Sequence, residues 1–207
     1  MKKGIFIVVD GIDGSGKSEI IKMLHNYLFS RHKKYRILTT REPTNGAYGK
    51  QIRMMLKKEK NPESNSGKLL ELFMKDREQH LENTIEPFLQ KSNKNGLNIV
   101  LCDRYYYSTI AFQSAQGINI NSLIEKNKKF REPDIAFILD IEPSLALERI
   151  EYRKKEKFEQ LEFMEKIRKN FLKLPKLLND NIKVIDASKP LTRVFKEIRK
   201  EIDKISD

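Results

Sequence analysis

Residues 4–24 read GIFIVVDGIDGSGKSEIIKML. The stretch opens on an apolar run, Gly4 to Asp10, of strand length. It closes on Ile20, Ile21 and Leu24, which continue with Tyr27 and Leu28 as one stripe of a helix. Between them stands Gly11-Ile12-Asp13-Gly14-Ser15-Gly16-Lys17-Ser18, a full match to the glycine-rich phosphate-loop pattern. The strand-to-helix setting gives the pattern its physical meaning. The glycines let the backbone curl so that several N–H groups face a phosphate, and the helix N-terminus adds the positive end of its dipole. Lys17 is placed to bridge the β- and γ-phosphates of a nucleotide, and the Ser18 hydroxyl to hold Mg²⁺.

Outward from this unit, four more β-rich runs recur: Arg36 to Thr40, Ile99 to Asp103, Ile135 to Ile141 and Ile182 to Ala187. Helical patterns separate them, the last carried by Leu191, Val194, Phe195, Ile198, Ile202 and Ile205. Three of the five runs are almost continuously apolar, as expected of parallel strands covered on both faces. Alternating strands and helices predict a doubly wound α/β fold. No linker or repeat divides the chain, so residues 1–207 read as one domain. Asn61 to Gly67 and Lys91 to Asn98 read as loops, and the charged stretch Tyr152 to Lys157 reads as a mobile lid.

Composition narrows the class. Hydrophobic residues make up 39%, too many for a disordered chain, and no apolar run approaches the roughly 20 residues that span a bilayer. The chain starts directly on a strand, which leaves no expected leader segment. Cys102 stands alone and permits no internal disulfide, consistent with a reducing cytoplasm. The formal charge is +12, from 41 basic and 29 acidic residues. That charge raises nucleic acid as a partner, but the lysines are spread over helices without an arginine stripe or interleaved aromatics. His25, His32 and His80 are isolated and suggest no zinc site.

A phosphate loop does not name the second substrate. Three further clusters address it: Arg41-Glu42-Pro43-Thr44 after the second strand, Asp103-Arg104-Tyr105 at the end of the third with Ser108, Phe112 and Gln113 beyond, and Leu72-Phe73-Met74-Lys75-Asp76-Arg77 in a helical pattern. The C-terminal ends of parallel strands form one rim where ligands sit. Arg41 and Arg104 are therefore expected over that rim, two guanidinium forks suited to one phosphate. Phe73 and Arg77, four apart, share a helix face and offer a ring to stack on and a fork to hydrogen-bond.

Taken together, these segments resemble the thymidylate kinase family over nearly the whole chain. The shared hallmarks are Asp13 in the phosphate loop, Arg41 to Pro43, Leu72 to Arg77, Asp103 to Gln113, and Pro133-Asp134 before the fourth strand. The resemblance implies a P-loop kinase with a five-stranded parallel sheet, order 2-3-1-4-5, flanked by helices with a short lid at about 149–160. It implies transfer from ATP to dTMP, with Mg²⁺ as cofactor, and a cytoplasmic homodimer with no membrane or nucleic-acid partner. In that reading Gly11, Asp13, Gly14, Ser15, Gly16, Lys17, Ser18 and Arg149 bind ATP, and Ser18 and Asp103 hold the metal. Asp13 contacts the sugar 3′-hydroxyl, Arg41 and Arg104 bind the acceptor phosphate, and Phe73 stacks on thymine. Arg77 bonds its O4 edge, while Pro43, Ser108 and Gln113 line the pocket and Phe112 crowds the 2′ position. Ala187 to Pro190 lies where the family cradles adenine.

The family divides by the position of its catalytic arginine. One group carries it in the phosphate loop; the other has glycine there and basic residues in the lid. Gly14 resembles the second group, so Lys17, Arg104 and the lid residue Arg153 are the expected catalytic residues, with Arg149 beside them. Where the lid usually continues Asp-Arg-Phe-Glu, this chain has Glu156-Lys157-Phe158-Glu159, a charge without the bidentate fork. Two alternatives stand beside this reading: another small P-loop kinase, such as a deoxynucleoside kinase, and a nucleotide-dependent nucleic-acid-binding protein. The first would need a carboxylate base for an uncharged hydroxyl; the second would need strand-binding aromatics.

Overall fold

A computed structural model describes residues 4–58, 65–91, 96–150 and 157–206. Strand β1 (Gly4–Gly11) leads into helix α1 (Lys17–Arg31), followed by β2 (Arg36–Arg41), α2 (Ala47–Lys58) and α3 (Ser66–His80). A π-turn (Leu81–Ile85) joins α3 to α4 (Glu86–Gln90). The second half runs β3 (Asn98–Asp103), α5 (Tyr106–Ala115), α6 (Ile120–Asn127), β4 (Ile135–Asp140), α7 (Pro143–Ile150), α8 (Lys157–Leu177), β5 (Ile182–Asp186) and α9 (Leu191–Ser206). The strands form one parallel sheet in the expected order β2-β3-β1-β4-β5.

Burial follows the order of the sheet. Every residue of central β1 is buried, which is why it tolerates nothing polar before Asp10. The edge strands, Arg36–Arg41 and Ile182–Asp186, are half exposed and carry the threonines and lysine that an edge accepts. Helix α1 buries Ile20, Ile21, Leu24 and Leu28 and packs on β1, β2 and β3. Full burial of such side chains contributes about 1.5–3 kcal/mol each. Helix α9 meets α1 through Val194, Ile198 and Ile202, whereas its first residue, Leu191, is exposed. Helices α5 and α8 pack on each other and on β1, β4 and β5.

Element ends differ slightly from the expected ones. Ser66 and Gly67 belong to α3 rather than to the loop before it, and Asn98 begins β3. The π-turn precedes Pro87, which has no N–H for the ladder; there Glu86 N–H reaches back to Leu81 O. Among the described residues, no helix is long and apolar enough to cross a membrane. Of the expected lid at about 149–160, residues 149–150 end α7 and 157–160 begin α8, and the half between them, 151–156 with Arg153, lies outside the described residues.

Candidate active site

The turn between β1 and α1 carries its expected shape. Gly14 has φ 78°, and a Cβ there would overlap the Ala146 carbonyl oxygen, so no side chain fits that position. Lys17 is almost wholly buried and donates from Nζ to the carbonyls of Gly11 (3.1 Å) and Ile12 (2.7 Å). Burial, aided by the nearby Arg104 charge, lowers its pKa from 10.5 to about 8, against the pull of Asp13, Asp103 and Asp10. Arg149, from the end of α7, donates to Gly14 O (3.4 Å) and Ala187 O (3.2 Å), tying the loop to the segment before α9.

Ser18 Oγ donates to Asp103 Oδ2 at 3.1 Å, while Asp103 Oδ1 is buried without a partner among the described residues. A hydroxyl and a carboxylate with an unused oxygen are the hard donors that Mg²⁺ takes. Among the described residues, no group of three or more His, Cys, Asp or Glu is placed to hold a metal by itself.

Arg104 leaves β3 in the left-handed region, φ 69°, with its N–H on Val9 O (3.0 Å). A non-glycine residue held there reflects local constraint. Its guanidinium donates to Asp13 Oδ1 (2.5 Å), Ser108 Oγ (2.8 Å) and Gly11 O (3.3 Å), and lies over the Phe112 ring. Beneath it, Asp10 is fully buried and accepts from the N–H groups of Gly11, Tyr105 and Ser108 and from Ser108 Oγ (2.6 Å). Burial raises its pKa, despite Arg104 and the hydrogen bonds that favour the charge. Asp10 is not among the residues expected from the motifs; a carboxylate closing a wholly apolar strand is the signal the sequence offers for it.

Beside Arg104 lies a cavity of about 350 Å³. Its walls bring together seven of the expected residues: Asp13, Pro43, Phe73, Arg104, Ser108, Phe112 and Gln113. Leu56, Thr109, Gln116 and Phe163 complete it and were not foreseen; Gln116 stands one helical turn beyond Gln113 and could have been. Gln113 is buried and donates from Nε2 to Gln116 Oε1 (2.8 Å), and its own Oε1 has no partner among the described residues. An uncommitted carbonyl in a cavity wall calls for an N–H donor. A larger cavity, about 470 Å³, borders Tyr106, Phe130 and Asp180 and shares no lining residue with this one.

Two expected residues are placed elsewhere. Arg77 is 1% exposed and donates from Nε and Nη2 to Glu42 Oε2 (2.9 and 2.7 Å), from Nη1 to Asn127 Oδ1 (2.9 Å) and from Nη2 to Thr109 Oγ1 (2.9 Å). Four of a guanidinium's five donors are thus engaged behind the cavity wall rather than in it. The i, i+4 spacing places Phe73 at the cavity, but a buried guanidinium requires acceptors, and Glu42 provides them. Arg41 is exposed at the end of β2 and borders a hollow with Ser18 and Asp103. Arg41 is thus not among the residues that line the cavity beside Arg104.

Comparison with known proteins agrees with this geometry. The family model for thymidylate kinase matches residues 9–198. A probable thymidylate kinase of Archaeoglobus fulgidus is 40% identical over 201 residues, covering 96% of this chain and 95% of the relative. A thymidylate kinase of Leptospira interrogans is 42% identical over 200 residues, covering 95% and 92%. One from Clostridium novyi is 32% identical over 208 residues, covering 96% and 98%.

Proposed function

This chain belongs to the thymidylate kinase family, enzymes that phosphorylate dTMP, and from that premise we propose how its own residues perform the transfer from Mg-ATP to dTMP, giving ADP and dTDP. The observation that carries the proposal is the position of Arg104. It borders the 350 Å³ cavity and also bonds Asp13 and Gly11 of the phosphate loop. An acceptor in that cavity meets the donor at this guanidinium.

The acceptor's base fills the cavity between Phe73, Pro43 and Phe112. Thymine N3–H donates to Gln113 Oε1, the wall carbonyl without a partner. Cytosine has an acceptor at that ring position, so CMP leaves two acceptors facing each other. Arg77 acts through the wall: its remaining N–H and its hold on Thr109 shape the base edge. Phe112 disfavours a 2′-hydroxyl, and Asp13 takes the sugar 3′-hydroxyl.

The acceptor phosphate is already ionised, so its oxygen attacks the γ-phosphorus without a general base. The bond from phosphorus to the bridging oxygen breaks, and ADP leaves. Catalysis is then positioning and charge stabilisation. Phosphate-loop N–H groups and Lys17 hold the donor, Arg104 holds the acceptor phosphate, and Arg41 swings to join it. Arg149 orders the nucleotide between the loop and Ala187, and Arg153 supplies transition-state charge from the lid at about 149–160. Ser18 and Asp103 would hold Mg²⁺, which neutralises charge on the phosphates when bound. Residues 1–207 act as one kinase domain, in a cytoplasmic homodimer, with no role for nucleic acid.

The test is ADP release, measured with each common nucleoside monophosphate in turn. dTMP is expected to be the best acceptor. Faster use of AMP or CMP would overturn the acceptor assignment.

A further inference from the structure

Beyond the end of β2 at Arg41 the chain bends at Glu42 and Pro43, with a cis peptide between them and Glu42 N–H on Asp103 O at 3.0 Å. Thr40, Glu42 and Thr44 each bond to side chains of α3. Thr40 Oγ1 lies 2.7 Å from His80 Nε2, and Glu42 Oε1 lies 3.1 Å from His80 Nδ1. Glu42 Oε2 takes both bonds from Arg77. Asp76 accepts from Thr44 N–H (2.7 Å) and from Thr44 Oγ1 (2.6 Å). Asp76, Arg77 and His80 are all buried. Three residues of one helix face thus grip positions 40, 42 and 44.

The same segment is held from α2. Arg53 donates to Pro43 O (3.0 Å) and Thr44 O (2.7 Å). Gly49 packs so closely that a Cβ there would overlap the Thr44 carbonyl. Pro43, between Glu42 and Thr44, lines the acceptor cavity. Helix α3 also carries Phe73 into that cavity. Helix α3 therefore carries the Phe73 ring and also holds the segment that bears Pro43.

We propose that Asp76 is a positioning residue for the acceptor nucleotide: through its two bonds to Thr44 it fixes the neighbouring Pro43 in the cavity wall that Phe73 also lines, and so sets the shape of the acceptor cavity. The inference rests on the reading that this cavity takes dTMP. Asp76 lines neither the cavity nor the phosphate loop, so its loss acts on the acceptor and leaves the donor unaffected. Asp76→Ala leaves the Thr44 N–H and hydroxyl without acceptors. Asp76→Asn keeps an acceptor for the N–H and a side chain of the same shape.

The experiment is steady-state kinetics on the full chain, varying dTMP and ATP separately, with melting temperature measured beside it. Asp76→Ala is expected to raise the dTMP KM about tenfold or more and to leave the ATP KM within about twofold; Asp76→Asn is expected to recover most of the loss. An unchanged dTMP KM, or equal rises for both substrates, overturns the proposal. If Asp76→Ala does not fold, Thr44→Val decides, because it removes the hydroxyl partner from the loop side. A selective rise in dTMP KM supports the proposal and an unchanged one overturns it. A wild-type chain that ignores dTMP would instead overturn the functional reading.

Discussion

Arg104 Nη2 donates to Asp13 Oδ1 at 2.5 Å, joining the end of β3 to the phosphate loop across 91 residues of sequence. The fork that faces the acceptor cavity is thereby oriented by the loop that holds the donor. Geometry of this kind depends on a planar guanidinium, which serves Asp13, Ser108 and Gly11 at once. A lysine carries the charge but cannot reproduce three directions.

Arg104→Lys is therefore expected to lower kcat/KM for dTMP by about 100-fold or more, a loss of the size seen when one charge-stabilising donor is removed. The ATP KM should change little. Kinetics with each substrate varied in turn checks this. A lysine variant with near-normal kcat/KM would show that the fork's geometry is unimportant and charge alone suffices.

Lys17 gives a pH signature. Its pKa of about 8 in the free enzyme means the side chain loses its charge within reach of experiment. Phosphate binding favours the charged form, so the ATP dissociation constant should rise about tenfold per pH unit above about 8. Stability moves the opposite way. The unfolded chain holds the proton up to 10.5, so between about 8 and 10.5 the unfolded state binds more protons and folding stability rises with pH. Lys17→Ala should remove the pH step in ATP binding and lower phosphoryl transfer by about 100-fold or more. Calorimetric titration of ATP from pH 7 to 10 measures the step; a flat profile in the wild type refutes it.

Gln113 carries the base-reading prediction. Its Oε1 has no partner among the described residues, and Gln116 holds the amide so that this oxygen stays available. Gln113→Leu keeps the volume and removes the acceptor. We expect kcat/KM for dTMP to fall about tenfold, with the preference for dTMP over CMP narrowed by a similar factor, as for loss of one buried hydrogen bond. Unchanged discrimination in this variant would place base reading elsewhere in the cavity, with Arg77 and Thr109 the next residues to change.

Why some of this was legible and some not follows from the range of the interactions. The phosphate loop is local: strand, turn and helix adjoin in sequence, and the glycine positions declare themselves. Strand order followed from the family resemblance, and the parallel pairing of β2 with β3, β3 with β1, β1 with β4 and β4 with β5 bears it out. Seven cavity residues were also within reach, because they occupy motif positions. The partners of Arg77 were not. Its fork is drawn to Glu42, Thr109 and Asn127, which lie 35, 32 and 50 residues away. Spacing on a helix fixes which face a side chain leaves from; it does not reveal which acceptors wait there. Leu56 and Phe163 enter the cavity from α2 and α8 for the same reason. Asp10 was masked by its position, since a carboxylate at the end of a strand resembles any loop residue until its burial is seen.

The last prediction concerns the charge that completes the transition state. Gly14 cannot be replaced by arginine without a clash, because φ is 78° and the Ala146 carbonyl occupies the space of a Cβ. The phosphate loop therefore has no room for a catalytic arginine at this position, and positive charge has to reach the transferring phosphoryl group from elsewhere. Arg149 is already engaged with Gly14 O and Ala187 O, contacts suited to holding a nucleotide. Arg153, four residues further on, is the remaining arginine of the segment before α8. An arginine that acts in the transition state contributes about 10³–10⁵ in rate in related phosphoryl transfers. Arg153→Ala should then lower kcat strongly and leave the dTMP KM nearly unchanged, whereas Arg149→Ala should chiefly raise the ATP KM. Lys157→Ala should be milder than Arg153→Ala, because an ammonium offers charge without the fork. Parallel kinetics on the three alanine variants, varying dTMP at saturating ATP and ATP at saturating dTMP, separate these roles. If Lys157→Ala is the most damaging in kcat, the catalytic charge sits further along the chain than Arg153.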